Sequence, residues 1–167
     1  MLCRDVVSVQ AADRPKAYFS EELNLFGAYR QALAVSNSLH TSGHDREAYY
    51  WILIAVECYF KNVFCLVRYN YLGNVDSIRP TDLRKGNLGR VFSHDVAQLL
   101  DTLISIFPEL AGEADFLSLR ANMPNNNWIE LRYSDPSTES TNYPVAYGSI
   151  KAHFTKIISN KFSTVVS

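Results

Sequence analysis

The sequence predicts an all-α protein, built as an antiparallel up-and-down bundle of four to five helices. Apolar residues recur at helical spacing in three long segments of the chain. The longest apolar segment, residues 46–70, contains no turn signal and is too long for a strand. The apolar fraction of 47% and the charged fraction of 20% are those of a globular protein with a substantial core.

The first helix is predicted over residues 20–39. Ser20 is a suitable N-cap, and the two glutamates after it favour the positive end of the helix dipole. The turn at residues 41–43 ends this helix, and Asp45 is placed to cap the next one. The apolar face of the first helix consists of Leu25/Phe26, Tyr29, Leu33 and Ser36.

The second helix is predicted over residues 46–70 and is apolar on nearly all sides. Such a helix belongs at the centre of a bundle, where neighbouring helices contact it on several faces. Its most apolar stretch, residues 49–67, is about long enough to span a bilayer. Glu57, Lys61 and Asn62 lie in the middle of that stretch and favour a bundle in water over a membrane helix.

Residues 71–92 break the helical pattern with one proline and several glycines, and a connection of this length is either functional or mobile. A third helix is predicted to be capped by Ser93 and to stop before Pro108. A short helix near residues 113–121 and a turn at residues 124–127 follow. Residues 128–133 are left unassigned, residues 134–142 are predicted as a loop, and the last helix is predicted to have Pro144 in its first position. The third helix has an apolar stripe of Val96, Leu99/Leu100, Leu103/Ile104 and Phe107. The inward residues of the last helix are Tyr147, Ile150, Phe154, Ile157/Ile158 and Phe162.

The length predicts one domain, with residues 20–163 as the bundle and residues 1–19 as an N-terminal extension. Cys58 and Cys65 are seven residues apart in one predicted helix, about 10 Å along its axis, which is too far for a disulfide. Together with Cys3, and with no secretory signal, they predict a cytoplasmic protein. The net charge of −1 excludes a global attraction to polyanions, so nucleic-acid binding would need local patches.

Three short patches occur in an order typical of one family. They are AVECYFKNV at residues 55–63, SHDVAQLL at residues 93–100 and LRYSDP at residues 131–136. Together they resemble the HEPN domains, helical bundles often found beside minimal nucleotidyltransferases. The resemblance covers about residues 20–162. It implies four or five helices, frequent homodimers and a link with nucleotides or RNA, often in toxin–antitoxin, phage-defence or RNA-processing systems.

In the ribonuclease branch of that family, an Arg is followed after four to six residues by a His near the last helix. Arg90 and His94 have three residues between them and lie at the start of a different helix. No His follows Arg132 at the spacing of four to six residues that this branch requires. The general base expected for metal-independent RNA cleavage therefore has no candidate at the matching position, and a non-catalytic role is expected.

Glu57 and Lys61 are four residues apart on the second helix, with Arg68 further along roughly the same stripe. They are interpreted either as a partly buried ion pair that fixes helix register or as the lining of a groove for a phosphate. His94 and Asp95 open the third helix. Asp95 favours the helix dipole there, and His94 either contacts nearby backbone or acts as a ligand-binding or proton-transferring group.

Arg132, Tyr133 and Asp135 match the family's Arg-Tyr patch. Arg132 could bind a phosphate through two donors while Tyr133 stacks on a base. Equally, Arg132 could tie its loop to Glu57 or to the third helix.

Two segments carry the clearest excess of positive charge. They are the loop with Arg79, Arg84, Lys85 and Arg90 and the last helix with Lys151, His153, Lys156 and Lys161. If they adjoin they would attract RNA or an acidic partner; alternatively they are an ordinary solvated face.

The four histidines show no metal-ligand spacing, so neither a metal nor a cofactor is expected.

Three functions follow as hypotheses. The first is a non-catalytic HEPN-like bundle, a homodimer, that binds a nucleotide, RNA or a partner protein such as a nucleotidyltransferase or a defence-system component. The second is a ribonuclease or nucleotide-modifying toxin with a displaced site around Arg90, His94 and Arg132. The third is a structural dimerisation module without a ligand.

Overall fold

The computed structural model of the protein describes residues 25–72, 94–124 and 128–161. Five α-helices and no β-strand occur in this part of the chain, so the all-α prediction is confirmed. The helices are α1 (Leu25–Thr41), α2 (Asp45–Leu72), α3 (Val96–Ile106), α4 (Ala114–Asn122) and α5 (Tyr143–Lys156), which continues into a π-helical turn (Ile157–Lys161). Three short 3₁₀ turns lie between them at Pro108–Gly112, Trp128–Arg132 and Pro136–Thr138.

Helix α2 is the centre of the fold and packs against α1, α3 and α5. Its residues at several positions around the helix are fully buried, which explains why the sequence is apolar on nearly all sides. These residues are Ile52, Leu53, Ala55, Val56 and Phe60. Within the described residues, no helix combines the length and the apolar character needed to cross a membrane.

The turn between α1 and α2 depends on Gly43, whose φ of 80° lies in the left-handed region that favours glycine. The predicted N-cap of α1, Ser20, lies outside the described residues. The prediction that Asp45 caps α2 is wrong, because Asp45 is the first residue of that helix. The Asp45 carboxylate instead lies 2.6 Å from Nδ1 of His40, near the end of α1.

Helix α3 begins at Val96, and its N-cap is Asp95, whose carboxylate accepts a hydrogen bond from the Gln98 backbone N–H at 2.9 Å. The prediction of Ser93 as the cap is therefore wrong by two residues. Both residue types cap helices well, and only the backbone geometry decides which of them does so. The predicted apolar stripe of α3 is buried from Val96 to Leu103, whereas Ile104 and Phe107 are partly buried, and the helix ends before Pro108.

Helix α5 is capped by Asn142, whose side chain accepts from the Val145 backbone N–H. Pro144 is the second residue of the helix rather than the first, as Tyr143 precedes it. The predicted inward residues Tyr147, Ile150 and Phe154 are buried, whereas Phe162 lies outside the described residues. Edge-to-face contacts join α2, α4 and α5, because the Phe60 ring meets Phe116 at 5.6 Å and the Tyr59 ring meets Phe154 at 5.4 Å.

Gly148 lies inside α5, is exposed, and has no atom within 4 Å of the place that a Cβ would occupy. We expect Gly148→Ala to raise the free energy of unfolding by about 0.5–1 kcal/mol, because alanine restricts the unfolded chain without a clash. Gly43→Ala is the matched control. It should lower the free energy of unfolding by about 1 kcal/mol, since a Cβ is strained at positive φ. Urea denaturation measures both, and equal effects of the two substitutions would contradict this account.

Candidate functional site

The carboxylate of Glu57 is buried at the meeting point of α2, the start of α3 and the 3₁₀ turn at Trp128–Arg132. Its Oε1 accepts a hydrogen bond from Lys61 Nζ at 2.6 Å, one helical turn along α2. Its Oε2 accepts from the Trp128 indole N–H at 3.1 Å. Nδ1 of His94 lies 3.0 and 3.2 Å from the two oxygens. We call these four residues the Glu57 cluster.

The Glu57 cluster is largely closed to solvent. Glu57 is 7% exposed and Lys61 is 6% exposed, so neither offers surface to a phosphate. The geometry favours a buried ion pair over a phosphate groove. Removal of a charge pair from water is unfavourable unless further hydrogen bonds satisfy the remaining polar atoms, and here His94 and Trp128 contact the same carboxylate.

His94 is the exposed member of the cluster, with 45% of its side chain accessible. Its ring contacts a side chain 37 residues earlier in the chain, that of Glu57. Asp95, in contrast, acts locally as the α3 cap, as its position at the start of the helix indicated. A carboxylate bound to one ring nitrogen fixes the orientation of the imidazole and leaves the other nitrogen for a different partner.

Arg132 is linked to Trp128 through the ring of Tyr50. Its guanidinium stacks over the Tyr50 ring, 5.0 Å from the ring centroid, and the Tyr50 ring meets Trp128 at 5.1 Å. Burial raises the pKa of the Tyr50 phenol, and the charge of Arg132 partly opposes that shift. Arg132 itself is exposed. Its contact with Tyr50 is neither of the two structural ties, to Glu57 or to the third helix, that the sequence suggested.

Tyr133 follows Arg132 and is 83% exposed. Its backbone N–H donates to the Glu130 carbonyl at 2.9 Å, so the backbone is held in a turn while the ring is in solvent. Large exposed apolar residues are few in the described part of the chain, the others being Leu117 and Val145. An aromatic ring left this exposed beside a cation is a surface on which a planar group can stack.

Arg46, near the start of α2, holds the segment that carries Arg132 and Tyr133. Its Nη2 donates to the Leu131 carbonyl at 2.6 Å and to the Ser134 carbonyl at 3.1 Å. Its guanidinium also binds both carboxylate oxygens of Glu139, at 2.9 and 3.0 Å. The hydroxyls of Ser134 and Tyr143 donate to the same carboxylate. We call this network the Arg46 clasp.

Neither Arg46 nor Glu139 could be singled out from the sequence. They are 93 residues apart and belong to no motif, so no local signal links them. Hydrogen bonds from Arg46, Ser134 and Tyr143 lower the Glu139 pKa to about 2. The hydrogen bond with Glu139 also raises the pKa of Arg46. A bidentate, charge-assisted pair of this kind holds a turn in one geometry.

Asp135 has a local structural role in the turn. Its carboxylate accepts from the Ser137 backbone N–H at 2.9 Å and from the Ser137 hydroxyl at 2.8 Å, and so caps the turn at Pro136–Thr138. These hydrogen bonds from Ser137 lower the pKa of Asp135. No contact between Asp135 and the Glu57 cluster occurs in the described part of the chain.

Of the two basic segments, the structure describes the last helix but not the loop. In α5, His153 and Lys156 both lie near the Asp115 carboxylate, at 3.0 and 3.5 Å, which offsets some of the positive charge. Lys151 Nζ lies 5.4 Å from the centroid of the Tyr147 ring. Arg79, Arg84, Lys85 and Arg90 lie outside the described residues, as do the side chains of Arg68 and Lys161.

Cys58 and the potential metal ligands add no second site. Burial raises the pKa of the Cys58 thiol to about 11, which disfavours the reactive thiolate form near neutral pH. Among the residues that the structure describes, no three His, Cys, Asp or Glu side chains come together in a way that could hold a metal ion.

Comparison with protein-family models, with curated proteins and with solved structures gives no match to this chain. The fold and the site by themselves define an α-helical protein with a buried carboxylate cluster. Close to that cluster, the chain carries two adjacent exposed residues, the cation Arg132 and the aromatic Tyr133.

Replacement of Glu57 tests whether the cluster supports the fold. We expect Glu57→Ala to lower the free energy of unfolding by about 3–5 kcal/mol, because Lys61 is left buried without its carboxylate. The double variant Glu57→Leu/Lys61→Leu removes both charges and should lose less than the single variant. Urea denaturation measures both, and a loss of less than 1 kcal/mol for Glu57→Ala would contradict a supporting role.

The Arg46 clasp predicts a specific dependence of stability on pH. Glu139 ionises near pH 2 in the folded protein but near its ordinary value of 4.5 in the unfolded chain. Between these values the unfolded chain binds more protons, so the stability contributed by the clasp is full above pH 4.5 and is lost as the pH falls towards 2. The difference in unfolding free energy between the wild type and Glu139→Gln should shrink over that window.

Glu109→Gln, at an exposed position in the turn after α3, is the control for Glu139→Gln. Urea titrations at a series of pH values give the unfolding free energies of all three proteins. A difference between the wild type and Glu139→Gln that stays constant from neutral pH to pH 2 would show that the clasp does not hold Glu139 ionised.

Proposed function

We propose that this protein is a non-catalytic HEPN-like helical bundle that binds RNA or a nucleotide through Arg132 and Tyr133. One observation carries the proposal: an aromatic ring that is 83% exposed sits beside an exposed arginine on a turn that the rest of the fold holds in place. The guanidinium would bind a phosphate, and the Tyr133 ring would stack on a base.

The support of the turn favours a binding site over an ordinary surface loop. Arg46 ties the turn from one side through the Leu131 and Ser134 carbonyls. Trp128 ties it from the other side through its hydrogen bond to Glu57. The stacking of Arg132 on Tyr50 restricts the guanidinium before a ligand arrives, which lowers the entropy lost on binding.

Two observations support a role without catalysis. The ribonuclease marker of the HEPN family is missing from the sequence. The buried carboxylate of Glu57 already contacts Lys61, His94 and Trp128, so it serves to position these groups and has little capacity left for a substrate.

We further propose that the bundle is a homodimer whose seam combines α2 and α5. Its setting would be a toxin–antitoxin or phage-defence system, with a nucleotidyltransferase or another defence component as partner. The outer face of α5 supports the seam, because the apolar side chain of Val145 is 65% exposed there. Static light scattering reports the dimer. The variant Val145→Arg should convert it to a monomer, since the arginine fits the protomer but not a closely packed seam.

Binding should depend on Tyr133 and Arg132. We expect Tyr133→Ala to weaken the binding of a fluorescein-labelled single-stranded hexanucleotide RNA roughly tenfold to hundredfold, since a base stacked on an aromatic ring contributes about 1–3 kcal/mol. Tyr133→Phe keeps the ring and should bind like the wild type. Arg132→Ala should weaken binding to a similar degree. Fluorescence anisotropy measures each affinity.

Arg30→Ala is the charge-matched control for Arg132→Ala. Arg30 is exposed on α1, and its neighbour Tyr29 contacts the ring of Tyr59 on α2. Tyr59 is about 13 Å along α2 from Tyr50, on which Arg132 stacks, so Arg30 lies away from the proposed site. Equal affinities for the wild type, Tyr133→Ala and Arg132→Ala, or no binding by any of them, would reject this site.

One observation favours a second candidate, a ribonuclease toxin with a displaced site. The Glu57 carboxylate contacts Nδ1 of His94, an arrangement in which a carboxylate orients a histidine as a general base. The His94 side chain is 45% exposed. Arrest of growth on expression, relieved by His94→Ala, would support this candidate. Harmless expression together with intact total RNA after incubation with the purified protein would exclude it.

A further inference from the structure

The hydroxyl of Tyr50 lacks a hydrogen-bond partner. Its oxygen is closed to solvent and has no partner in the part of the chain that the structure describes. A buried hydroxyl left unpaired destabilises a fold, and such a group in a native protein calls for an explanation. The Tyr50 ring meets Trp128 at 5.1 Å, and the Arg132 guanidinium lies over it, 5.0 Å from its centroid. The unpaired hydroxyl is therefore carried by the ring on which the cation of the proposed site stacks.

The missing partner of this hydroxyl is a hydrogen-bond acceptor. Burial raises the pKa of the Tyr50 phenol, and Arg132 only partly opposes the shift, so near neutral pH the hydroxyl keeps its proton and can donate it. Arg132 carries only donors and cannot accept that proton. The Glu57 carboxylate, which also acts on the phenol, already accepts from Lys61 and Trp128. A guanidinium and a hydroxyl that both donate are suited to bind an anionic oxygen.

We infer, on the basis of the proposed binding of RNA or a nucleotide, that Tyr50 is a further ligand-contacting residue of that site and that its hydroxyl donates to the same phosphate group that Arg132 binds. The ligand then supplies the acceptor that the fold does not. A site whose buried hydroxyl needs an acceptor discriminates against ligands that lack one, so Tyr50 makes the site specific for the phosphate.

One phosphate group is large enough to contact both residues. The hydroxyl is a substituent of the ring that Arg132 covers, so bond lengths place its oxygen within about 8 Å of the guanidinium carbon, a separation that a phosphate with a hydrogen bond of about 2.9 Å on either side can span. Arg132 and Tyr133, which both act electrostatically on the phenol, are exposed. A side-chain shift at this surface, of the kind that is common on binding, opens the oxygen to the ligand.

Removal of the hydroxyl should affect the fold and the binding in different ways. Tyr50→Phe keeps the ring on which Arg132 stacks and removes only the unpaired oxygen, so its melting temperature should equal or exceed that of the wild type. Its affinity for the fluorescein-labelled hexanucleotide RNA should fall about tenfold, because a hydrogen bond to a charged group is lost. Thermal denaturation and fluorescence anisotropy of the full chain measure the two effects.

Tyr147→Phe is the matched control, because the buried Tyr147 donates its hydroxyl to Oδ1 of Asn37 at 3.0 Å. This variant should lower the melting temperature by about 3 °C, since a paired hydroxyl is removed. It should leave the affinity for the hexanucleotide unchanged, since Tyr147 takes no part in the proposed site.

A double-variant cycle tests whether Tyr50 and Arg132 bind the same phosphate. In the Arg132→Ala background, Tyr50→Phe should change the affinity by less than about threefold, because two groups that bind one phosphate are not additive. Unlabelled competitors give a second reading. The inhibition constant of adenosine monophosphate should rise in Tyr50→Phe, whereas that of adenosine, which has no phosphate, should be the same for the wild type and the variant.

The outcomes separate this inference from the function on which it rests. Equal affinities of the wild type and Tyr50→Phe, with weaker binding by Tyr133→Ala, would keep the proposed function and overturn the role of Tyr50. A melting temperature lowered as much in Tyr50→Phe as in Tyr147→Phe would also overturn that role, because the hydroxyl would then have a partner in the fold. An equal loss of affinity in the wild-type and Arg132→Ala backgrounds would overturn the shared phosphate. Absence of binding by the wild type would overturn both proposals.

Discussion

The buried carboxylate of Glu57 is the constraint on which the candidate site depends. An isolated carboxylate at 7% exposure would be strongly destabilising, so the fold must bring donors to it. Those donors come from α2 itself, from the residue before the α3 cap and from the 3₁₀ turn of Trp128. Three segments that are distant in sequence are thereby held in one arrangement, and the position of Arg132 follows from that of Trp128, four residues earlier.

The Arg46 clasp complements the Glu57 cluster from the other end of the same segment. One guanidinium satisfies two backbone carbonyls and the carboxylate of Glu139, and thus fixes a stretch that contains only short 3₁₀ turns. Segments without regular helix or strand need such side-chain partners for their backbone groups. The result is a rigid turn with an exposed tyrosine, in which binding would order few additional groups.

The candidate site was predicted only in part. The Glu57–Lys61 pair was predictable because four residues make one turn of a helix that the apolar pattern had already indicated. His94, Arg132 and Tyr133 were singled out through the HEPN resemblance, but their neighbours were not. Tyr50, Trp128, Arg46 and Glu139 carry no motif. The hydrogen bonds that Trp128 forms with Glu57 and Arg46 with Glu139 join residues 71 and 93 positions apart. The predicted starts of α2, α3 and α5 were wrong by one or two residues, because more than one residue near each start suits a cap or a first helical position.

The sequence by itself determined the all-α class, the central position of α2 and the inward faces of α3 and α5. These properties depend on periodicity within one segment, which a helix of 3.6 residues per turn converts directly into a buried face. Only the tertiary structure decided that His94 and Trp128 share the carboxylate of Glu57 and that Arg132 stacks on Tyr50. Such contacts depend on how helices and turns are placed in space, and hydrogen bonds between distant side chains leave no periodic trace in the chain.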